Sequence, residues 1–310
     1  MAPEPRPATV GTALVLAVAA MSTAAILIRL VEDAGPLAIA FHRMLFATLV
    51  LAPWALARHG AELRGLGWRG AAPLLGIGVV LGLHFATWIT SLGLTTVASS
   101  VVLVTFHPAL VALLGFVWLG EGLRVRGWAG IALALVGAAT LVWGDFGLTG
   151  SALLGDALAF AGAVFAALYF LGGRRARRTL SLPAYALVVY AGASATLLAL
   201  ALVAEEPLGG FRASDYLLLL ALALGPQVAG HTVANWALKY VPASIVSVAI
   251  VGEPIGSTLL AALLLAEVPP VTSLAGGVLI LAGIYLVATG QAAKAAPSQV
   301  ESAAGVEPVK

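Results

Sequence analysis

The amino-acid sequence predicts an all-α integral membrane protein with ten transmembrane helices, arranged as two inverted repeats of five helices. Three observations support this fold class. The chain of 310 residues is 61% hydrophobic and only 10% charged, whereas a typical soluble domain is about 25% charged. Its apolar stretches are long enough to cross a bilayer, and a segment of the first half recurs in the second half at a constant spacing.

The predicted spans follow from cutting the sequence at charges and turn residues, since a spanning helix needs about 20 mainly apolar residues. The segment Glu32–Pro36 separates the first two spans, Pro183 and Pro242 open the seventh and ninth, and Pro269–Pro270 separate the last two. In chain order the predicted spans are residues 10–30, 36–57, 70–91, 97–119, 126–144, 152–172, 183–203, 215–238, 242–265 and 271–289. The first stretch is too long for the apolar core of a signal peptide, so it is interpreted as a span.

The basic residues predict the orientation, because Lys and Arg favour cytoplasmic loops. If the N-terminus is cytoplasmic, 13 of the 16 basic residues fall in cytoplasmic segments, namely Arg6, Arg58, Arg64, Arg69, Arg124, Arg126, Arg174, Arg175, Arg177, Arg178, Lys239, Lys294 and Lys310. The opposite segments carry Arg29 and Arg212 among acidic residues, namely Glu32, Asp33, Asp145, Glu205, Glu206, Asp215 and Glu267. Both termini are therefore predicted to be cytoplasmic.

An internal repeat relates the two halves. Residues 92–121 (LGLTTVASSVVLVTFHPALVALLGFVWLGE) align without gaps with residues 238–267 (LKYVPASIVSVAIVGEPIGSTLLAALLLAE) at an offset of 146, and the matches include Pro108 with Pro254 and Glu121 with Glu267. Five spans per half is an odd number, so the second half must be inverted. Inverted repeats place a substrate site at the midplane and permit alternating access. The predicted organisation is a tail (1–9), two repeats (10–146 and 147–290) and a disordered tail (291–310).

Four motifs carry a family resemblance over residues 10–290. They are FHRMLFA at Phe41–Ala47, HFATW at His84–Trp88, the segment Ala98–Glu121 and the segment Asn235–Ser257. With the repeat and the topology, the chain resembles the drug/metabolite transporter superfamily, specifically its ten-helix EamA-type exporters. The resemblance implies efflux of amino acids, related metabolites or drugs through a central cavity, without catalysis or a cofactor. It also implies a location in the bacterial inner membrane.

Two polar residues occupy equivalent positions of the repeat. A polar side chain in mid-bilayer costs free energy unless it faces a partner or water, so each one is a candidate for function. Glu253 precedes Pro254 in the ninth span, and His107 precedes Pro108 in the fourth. Glu253 either binds a substrate amine or a proton in the cavity, or is a buried structural acid. His107 either relays a proton or binds a carboxylate, or forms a hydrogen bond between helices.

Further polar and aromatic residues extend the predicted substrate site. His84 and Trp88 share one face of the third span because they are four residues apart, although Trp88 also suits an aromatic belt at the outer interface. The remaining candidates are Tyr169, Gln227, His231, Asn235 and Trp236. His42 and Arg43 are predicted either to be structural or to form an anion contact near the outer mouth. The Arg43 side chain is expected to extend outward to the interface or to pair with Glu32 or Asp33. Glu121 and Glu267 suggest boundary or gate contacts.

Several classes of function are disfavoured by what the sequence lacks. There is no cysteine, and there is no P-loop or H-E-x-x-H or G-x-S-x-G motif, so ATP hydrolysis and the common hydrolase chemistries have no signature. No basic stripe with aromatic residues suggests nucleic acid. A lipid or lipid-linked substrate flippase and an intramembrane enzyme remain alternatives to a secondary transporter. The expected partners are a small-molecule substrate and membrane lipid, with protons and a second copy of the chain as further candidates.

Overall fold

The computed structural model describes residues 6–119, 124–145, 150–177, 179–237, 240, 246 and 249–295, and this part of the chain is helical without β-strands. The first half contains α1 (Pro7–Ser22), α2 (Ala24–Leu30), α3 (Pro36–Leu92), α4 (Val97–Val104), α5 (His107–Leu119) and α6 (Val125–Asp145). The second half contains α7 (Ala152–Ala176), α8 (Leu182–Val203), α9 (Ala213–Leu222), a π-helical segment (Ala223–Thr232), α10 (Val233–Ala237), α11 (Gly252–Leu264) and α12 (Val271–Ala295).

The helix lengths are those of a multi-pass membrane protein. Within the described residues, eight helical stretches are long and apolar enough to cross a bilayer, and one of them is the 57-residue α3. Gly67 (φ 53°, ψ −177°) interrupts α3, so α3 consists of two helices that correspond to the second and third predicted spans. The shorter α11 lies within the predicted ninth span. The fold class is thus confirmed as all-helical, and the helices are compatible with ten spans.

The two ends of the helical region differ slightly from the expectation. Helix α1 begins at Pro7, within the predicted tail 1–9, because proline suits the first turn of a helix, where its missing N–H has no intrahelical partner. Helix α12 continues to Ala295, within the predicted tail 291–310, because an alanine-rich segment has a high helix propensity. Residues 296–310 lie outside the described part of the chain.

The packing of α6 against α12 shows the inverted relation of the repeats. Gly276 and Gly283 follow Gly130 and Gly137 by 146 residues (276 − 130 and 283 − 137). A Cβ built on Gly130 would lie 2.6 Å from the carbonyl oxygen of Gly283, and one built on Gly137 would lie 2.7 Å from that of Gly276. Each glycine therefore meets the counterpart of the other, and the pairs run antiparallel. This reciprocity is what a two-fold axis between inverted repeats produces.

A second close approach joins α3 to α8. A Cβ on Gly78 would lie 2.7 Å from the carbonyl oxygen of Val189, and one on Gly82 would lie 2.9 Å from Cβ of Thr196. Small residues four apart let two backbones come together, and in lipid this packing supplies much of the attraction between helices. The Gly78-x-x-x-Gly82 motif thus fixes α3, which carries His84 and Trp88, against the second half of the protein.

Ionic contacts tie the loops at one end of the bundle. Arg212 bridges Glu32 and Asp33, with its Nε 2.8 Å from Oδ2 of Asp33. The backbone N–H of Asp33 donates to Oδ2 of Asp215 at 3.0 Å. The hydrogen bonds from the Arg212 guanidinium hold the pKa of the Asp33 carboxyl below its usual range. Three of the acidic residues predicted for the outer side, Glu32, Asp33 and Asp215, therefore lie together at one end of the molecule.

Two glutamates at the same end accept hydrogen bonds from the first turns of helices, where backbone N–H groups lack intrahelical partners. Oε2 of Glu206 accepts from the N–H groups of Leu37 and Ala38 at 3.0 Å each. Glu267 accepts from the N–H of Val97 and pairs with Arg29, the Arg29 Nη2 to Glu267 Oε2 distance being 3.2 Å. Glu267 thus joins the start of α4 to the end of α2, whereas its repeat counterpart Glu121 lies outside the described residues.

We predict that Gly137→Ala destabilises the protein, because the added methyl group would lie 2.7 Å from the Gly276 carbonyl oxygen. Overpacking of this kind costs about 1–3 kcal/mol. Thermal unfolding in detergent, followed by the fluorescence of the seven tryptophans, should show a lower Tm. The control is Gly76→Ala in α3, where an added Cβ meets nothing within 4 Å. Equal Tm values for the two variants would contradict the proposed packing.

Candidate functional site

A cavity lies between the two halves of the bundle. Its volume is about 650 Å³, including the part that is open to solvent. It is lined by residues from α3, α4, α5, α7, the π-helical segment, α10 and α11. Eight of the nine predicted substrate-site residues are among the lining residues: His84, Trp88, His107, Tyr169, Gln227, His231, Asn235 and Glu253. The structure thus brings residues from three of the four motifs to one place, together with Tyr169, Gln227 and His231. Their role in substrate binding stays a prediction.

Trp236 is the predicted site residue that the structure places elsewhere. Its ring packs on that of Tyr240, with the centroids 4.8 Å apart, and against a cluster that contains Val10 and Leu14. The reason is helical geometry: successive residues are rotated by about 100° around a helix, so Trp236 points away from the direction of Asn235. Trp236 is therefore not among the residues that line this cavity.

Breaks at equivalent points of the repeat precede His107 and Glu253. Turns at Thr105 and Phe106 separate α4 from α5, and a turn at Val251, which is 105 + 146, precedes α11. Pro108 and Pro254 explain the breaks, since a proline donates no hydrogen bond to the carbonyl four residues earlier. Discontinuous helices line the midplane sites of many transporters with inverted repeats. The two breaks here place an imidazole and a carboxylate on the wall of the cavity.

The His107 ring forms a hydrogen bond with the Val104 carbonyl, which lacks its usual helical donor because residue 108 is a proline. His107 Nδ1 lies 3.1 Å from the carbonyl oxygen of Val104, which is four residues before Pro108. A carbonyl only accepts hydrogen bonds, so Nδ1 carries the proton and Nε2 is the polar atom left for another partner. The ring stacks on Phe170 with the centroids 5.1 Å apart. This contact and the hydrogen bond fix the direction of the imidazole.

His84 is oriented in a similar way from the other wall. Its Nδ1 lies 2.9 Å from the carbonyl oxygen of Gly162 in α7, so Nδ1 donates and Nε2 is again left for another partner. The His84 ring stacks on Trp88 at an interplanar angle of 9°. Trp88 is only 3% exposed, so it is a cavity residue and does not belong to a lipid-facing aromatic belt.

Glu253 is buried at 8% exposure and lines the cavity. Its main-chain oxygen accepts a hydrogen bond from Ser22 in α1 at 3.4 Å. Among the described residues, its carboxylate forms neither a salt bridge nor a hydrogen bond. A carboxylate in this position is available to a ligand that carries a positive charge or a hydrogen-bond donor.

Three lining residues belong to an irregular part of the predicted eighth span. The π-helical segment Ala223–Thr232 contains Pro226 and precedes the short α10. The Thr232 hydroxyl donates to the main-chain oxygen of Gln227 at 3.1 Å, five residues earlier, and Asn235 donates to that of His231 at 2.9 Å. Widened turns of this kind often occur at functional sites. The sequence predicts a plain helix here, because apolar periodicity does not distinguish a π-turn from an α-turn.

His42 and Arg43 do not occupy an outer mouth. His42 is buried, donates from Nδ1 to the Ala38 carbonyl oxygen at 2.8 Å and packs among aromatic rings, including that of Phe46, which fits the structural alternative. The ion pair considered for Arg43 is wrong, because Glu32 and Asp33 bind Arg212. Arg43 points inward instead, and its Nε donates to Oε1 of Gln227 at 3.0 Å.

Sequence reasoning missed the aromatic residues of the cavity wall. Phe85 and Phe170 both line the cavity, Phe85 beneath the Arg43 guanidinium and Phe170 beneath the His107 ring. A phenylalanine in a transmembrane helix has no polar group to distinguish it from core or lipid-facing residues. Only the spacing of Phe85 beside His84 offered a signal.

Comparisons with known proteins agree with this architecture. The sequence model of the EamA-like transporter family matches residues 10–143 and 153–289. A solved crystal structure of a protein resembles the chain with a TM-score of 0.66 at 23% sequence identity, and the match covers 94% of this chain and 100% of the other. At this identity the likeness concerns the fold. No curated protein matches the chain significantly.

We predict that His84→Gln destabilises the protein more than His84→Asn. An asparagine amide nitrogen lies near the place of Nδ1 and keeps the bond to the Gly162 carbonyl oxygen, whereas a glutamine amide reaches toward the place of Nε2. A buried hydrogen bond is worth about 1 kcal/mol. Both variants lose the ring stacked on Trp88, so the difference in Tm between them reports the hydrogen bond. The reverse order of Tm values would disprove the tautomer assigned here.

Proposed function

The chain belongs to the EamA-like transporter family, whose members are membrane transporters and not enzymes, and we propose that it exports amino acids or related small metabolites by alternating access. The observation that carries this proposal is the pair His107 and Glu253, which follow equivalent helix breaks and line one cavity. The proposed location is a bacterial inner membrane, with both termini in the cytoplasm.

The chemistry of the cavity supports a small polar cargo. A charged residue at the centre of a transmembrane helix costs about 2.5–3.5 kcal/mol on insertion scales, so polar groups here need a use that offsets this cost. Glu253 and the Nε2 atoms of His84 and His107 are hydrogen-bond acceptors, while aromatic rings such as Phe170 form apolar wall. We propose that Glu253 receives an ammonium group and that the aromatic wall contacts the apolar part of the cargo.

The symmetry of the bundle supports alternating access. The antiparallel contact of α6 with α12 relates the two halves by a two-fold axis, and inverted repeats of this kind rock about a central site. At one end, Arg212 joins the α2–α3 connection to the α8–α9 connection, and Arg29 joins α2 to Glu267. We propose that these exposed ion pairs close the outer side in this conformation and separate when the cavity opens outward.

We predict that Glu253→Gln reduces amino-acid transport in liposomes about tenfold or more, because hydrogen bonds to a charged group contribute about 1.5–3 kcal/mol. The measurement is saturable uptake of a panel of labelled amino acids by the purified protein. If Glu253 also couples protons, the variant should lose the pH dependence of net transport and retain exchange.

The matched control is Glu205→Gln, an exposed carboxylate beyond the end of α8, which should leave uptake unchanged. Absence of uptake across the whole panel would reject amino acids as cargo and direct the search to drugs, nucleosides or lipids. Uptake that Glu253→Gln leaves intact would reject the role of this residue.

We also predict the sidedness of the loops, and the natural absence of cysteine makes it directly measurable. Gly65→Cys lies in the connection within α3, and Gly209→Cys lies beyond α8; both positions have no heavy atom within 3.4 Å of a built Cβ. In right-side-out vesicles, a membrane-impermeant maleimide should label Gly209→Cys at once and Gly65→Cys only after permeabilisation. The opposite pattern would invert the proposed topology.

A further inference from the structure

The guanidinium of Arg43 lies directly behind the wall of the cavity. Arg43 is 0% exposed, and its Cζ lies 4.2 Å from the ring centroid of Phe85 and 5.6 Å from that of Trp88. Its Nε is bound to Gln227. All three of these neighbours line the cavity. The arginine therefore lies in a second layer around the site, close to the end of α3 that carries Trp88.

Three buried donor atoms at this place have no hydrogen-bond partner among the described residues. They are Nη1 and Nη2 of Arg43 and Nε1 of Trp88. Leaving a buried donor unpaired destabilises the folded protein, and more so when the group is charged. Few buried polar groups in native proteins lack partners, and those that do call for an explanation. Donors without acceptors, concentrated around a positive charge, are complementary to an anion.

A group of the opposite charge lines the same cavity. Glu253 is a buried carboxylate that also lines the cavity. The described part of the site thus has a cationic, donor-rich pole at Arg43 and Trp88 and an anionic, acceptor-rich pole at Glu253. A molecule that carries both charges matches the two poles.

We propose that Arg43 and Trp88 form a carboxylate subsite of the cavity, which makes the cargo an α-amino acid or another small molecule with a carboxylate. The two terminal nitrogens of a guanidinium match the two oxygens of a carboxylate in a bidentate pair, and the Trp88 indole N–H supplies a further donor. Gln227 holds the guanidinium in place through Nε. This inference rests on the proposed transport function and specifies which end of the cargo each pole receives.

Access to the subsite requires one side chain to move. The Phe85 and Trp88 rings cover the guanidinium in this conformation, so a carboxylate reaches Arg43 when the Phe85 ring rotates aside. Until then the ring face stabilises the buried cation through a cation–π contact. Carboxylate binding would replace this contact with a charged hydrogen-bonded pair. It would therefore depend on the rotation of the Phe85 ring.

The test compares three forms of each of the twenty amino acids by the thermal stabilisation of the purified full chain: the free acid, its carboxamide and its N-acetyl derivative. The carboxamide keeps the ammonium and lacks the carboxylate, and the N-acetyl derivative does the reverse. The free acid should bind the wild-type protein about tenfold to a hundredfold more tightly than the carboxamide, given the contribution of charge-assisted hydrogen bonds.

Arg43→Gln should bring the ratio of acid to carboxamide affinity close to one. If Arg43→Gln does not fold, Trp88→Phe provides the second test, since it keeps an aromatic ring, removes the N–H and should lower the ratio several-fold. Arg43→Lys keeps the charge without the planar fork and should restore part of the preference. Arg69→Gln, an exposed arginine of α3, is the matched control and should leave the ratio unchanged.

The outcomes separate this inference from the transport proposal. The subsite is supported if free and N-acetyl amino acids bind and their binding depends on Arg43 and Trp88. This holds even if liposomes show no amino-acid uptake, in which case the cargo is another carboxylate. Equal affinity for acid and carboxamide, an unchanged ratio in folded Arg43→Gln, or absence of binding by every carboxylate would overturn the subsite. In the first two cases amino-acid transport would still stand if uptake is observed.

Discussion

The cost of placing a polar group in hydrocarbon is the constraint on which the rest of this structure depends. The backbone meets it by forming helices, and the side chains meet it by turning inward. His84 and His107 each donate a hydrogen bond from Nδ1 to a carbonyl oxygen of a nearby helix or turn. Gln227 accepts a hydrogen bond from Arg43. The Nε2 atoms of the two imidazoles and the Glu253 carboxylate remain without a hydrogen-bond partner among the described residues, and all three side chains line one cavity.

The two repeats share backbone features but differ in the side chains that line the cavity. The offset of 146 residues relates the glycines of α6 to those of α12, the break at Thr105 to that at Val251, and His107 to Glu253. The backbone is thus repeated, while the residues at the matching places differ in charge and in hydrogen-bonding character. A two-fold frame permits two conformations of similar energy, which the proposed alternating access would require. The proposed cargo has two unlike ends, and its binding would require unlike walls.

Close backbone contacts explain how helices of modest polarity hold this frame together. Lipid supplies no hydrophobic attraction between helices, so the contact of glycine with backbone in α6–α12 and α3–α8 must contribute through packing. The α3–α8 contact also sets the position of the site, since His84, Phe85 and Trp88 follow Gly78 and Gly82 along the same helix. Packing and the position of the cavity residues are therefore linked through one helix. Gly78 and Gly82 contact α8, and the turns that follow them line the cavity.

The sequence by itself determined the helical membrane fold, the repeat and eight of the residues that meet in the cavity. It could do so because the length of apolar segments is a local signal and the offset of 146 residues is a periodic one. In addition, a histidine or glutamate is easily recognised among the apolar residues of a span. Only the tertiary structure decided the rotation of each side chain about its helix. Trp236 turns toward Tyr240 and away from the cavity, Arg43 turns inward to Gln227 while Arg212 takes Glu32 and Asp33, and Phe85 and Phe170 become cavity wall. These choices depend on which neighbours a side chain meets across helices, and the spacing of residues along one chain does not contain that information.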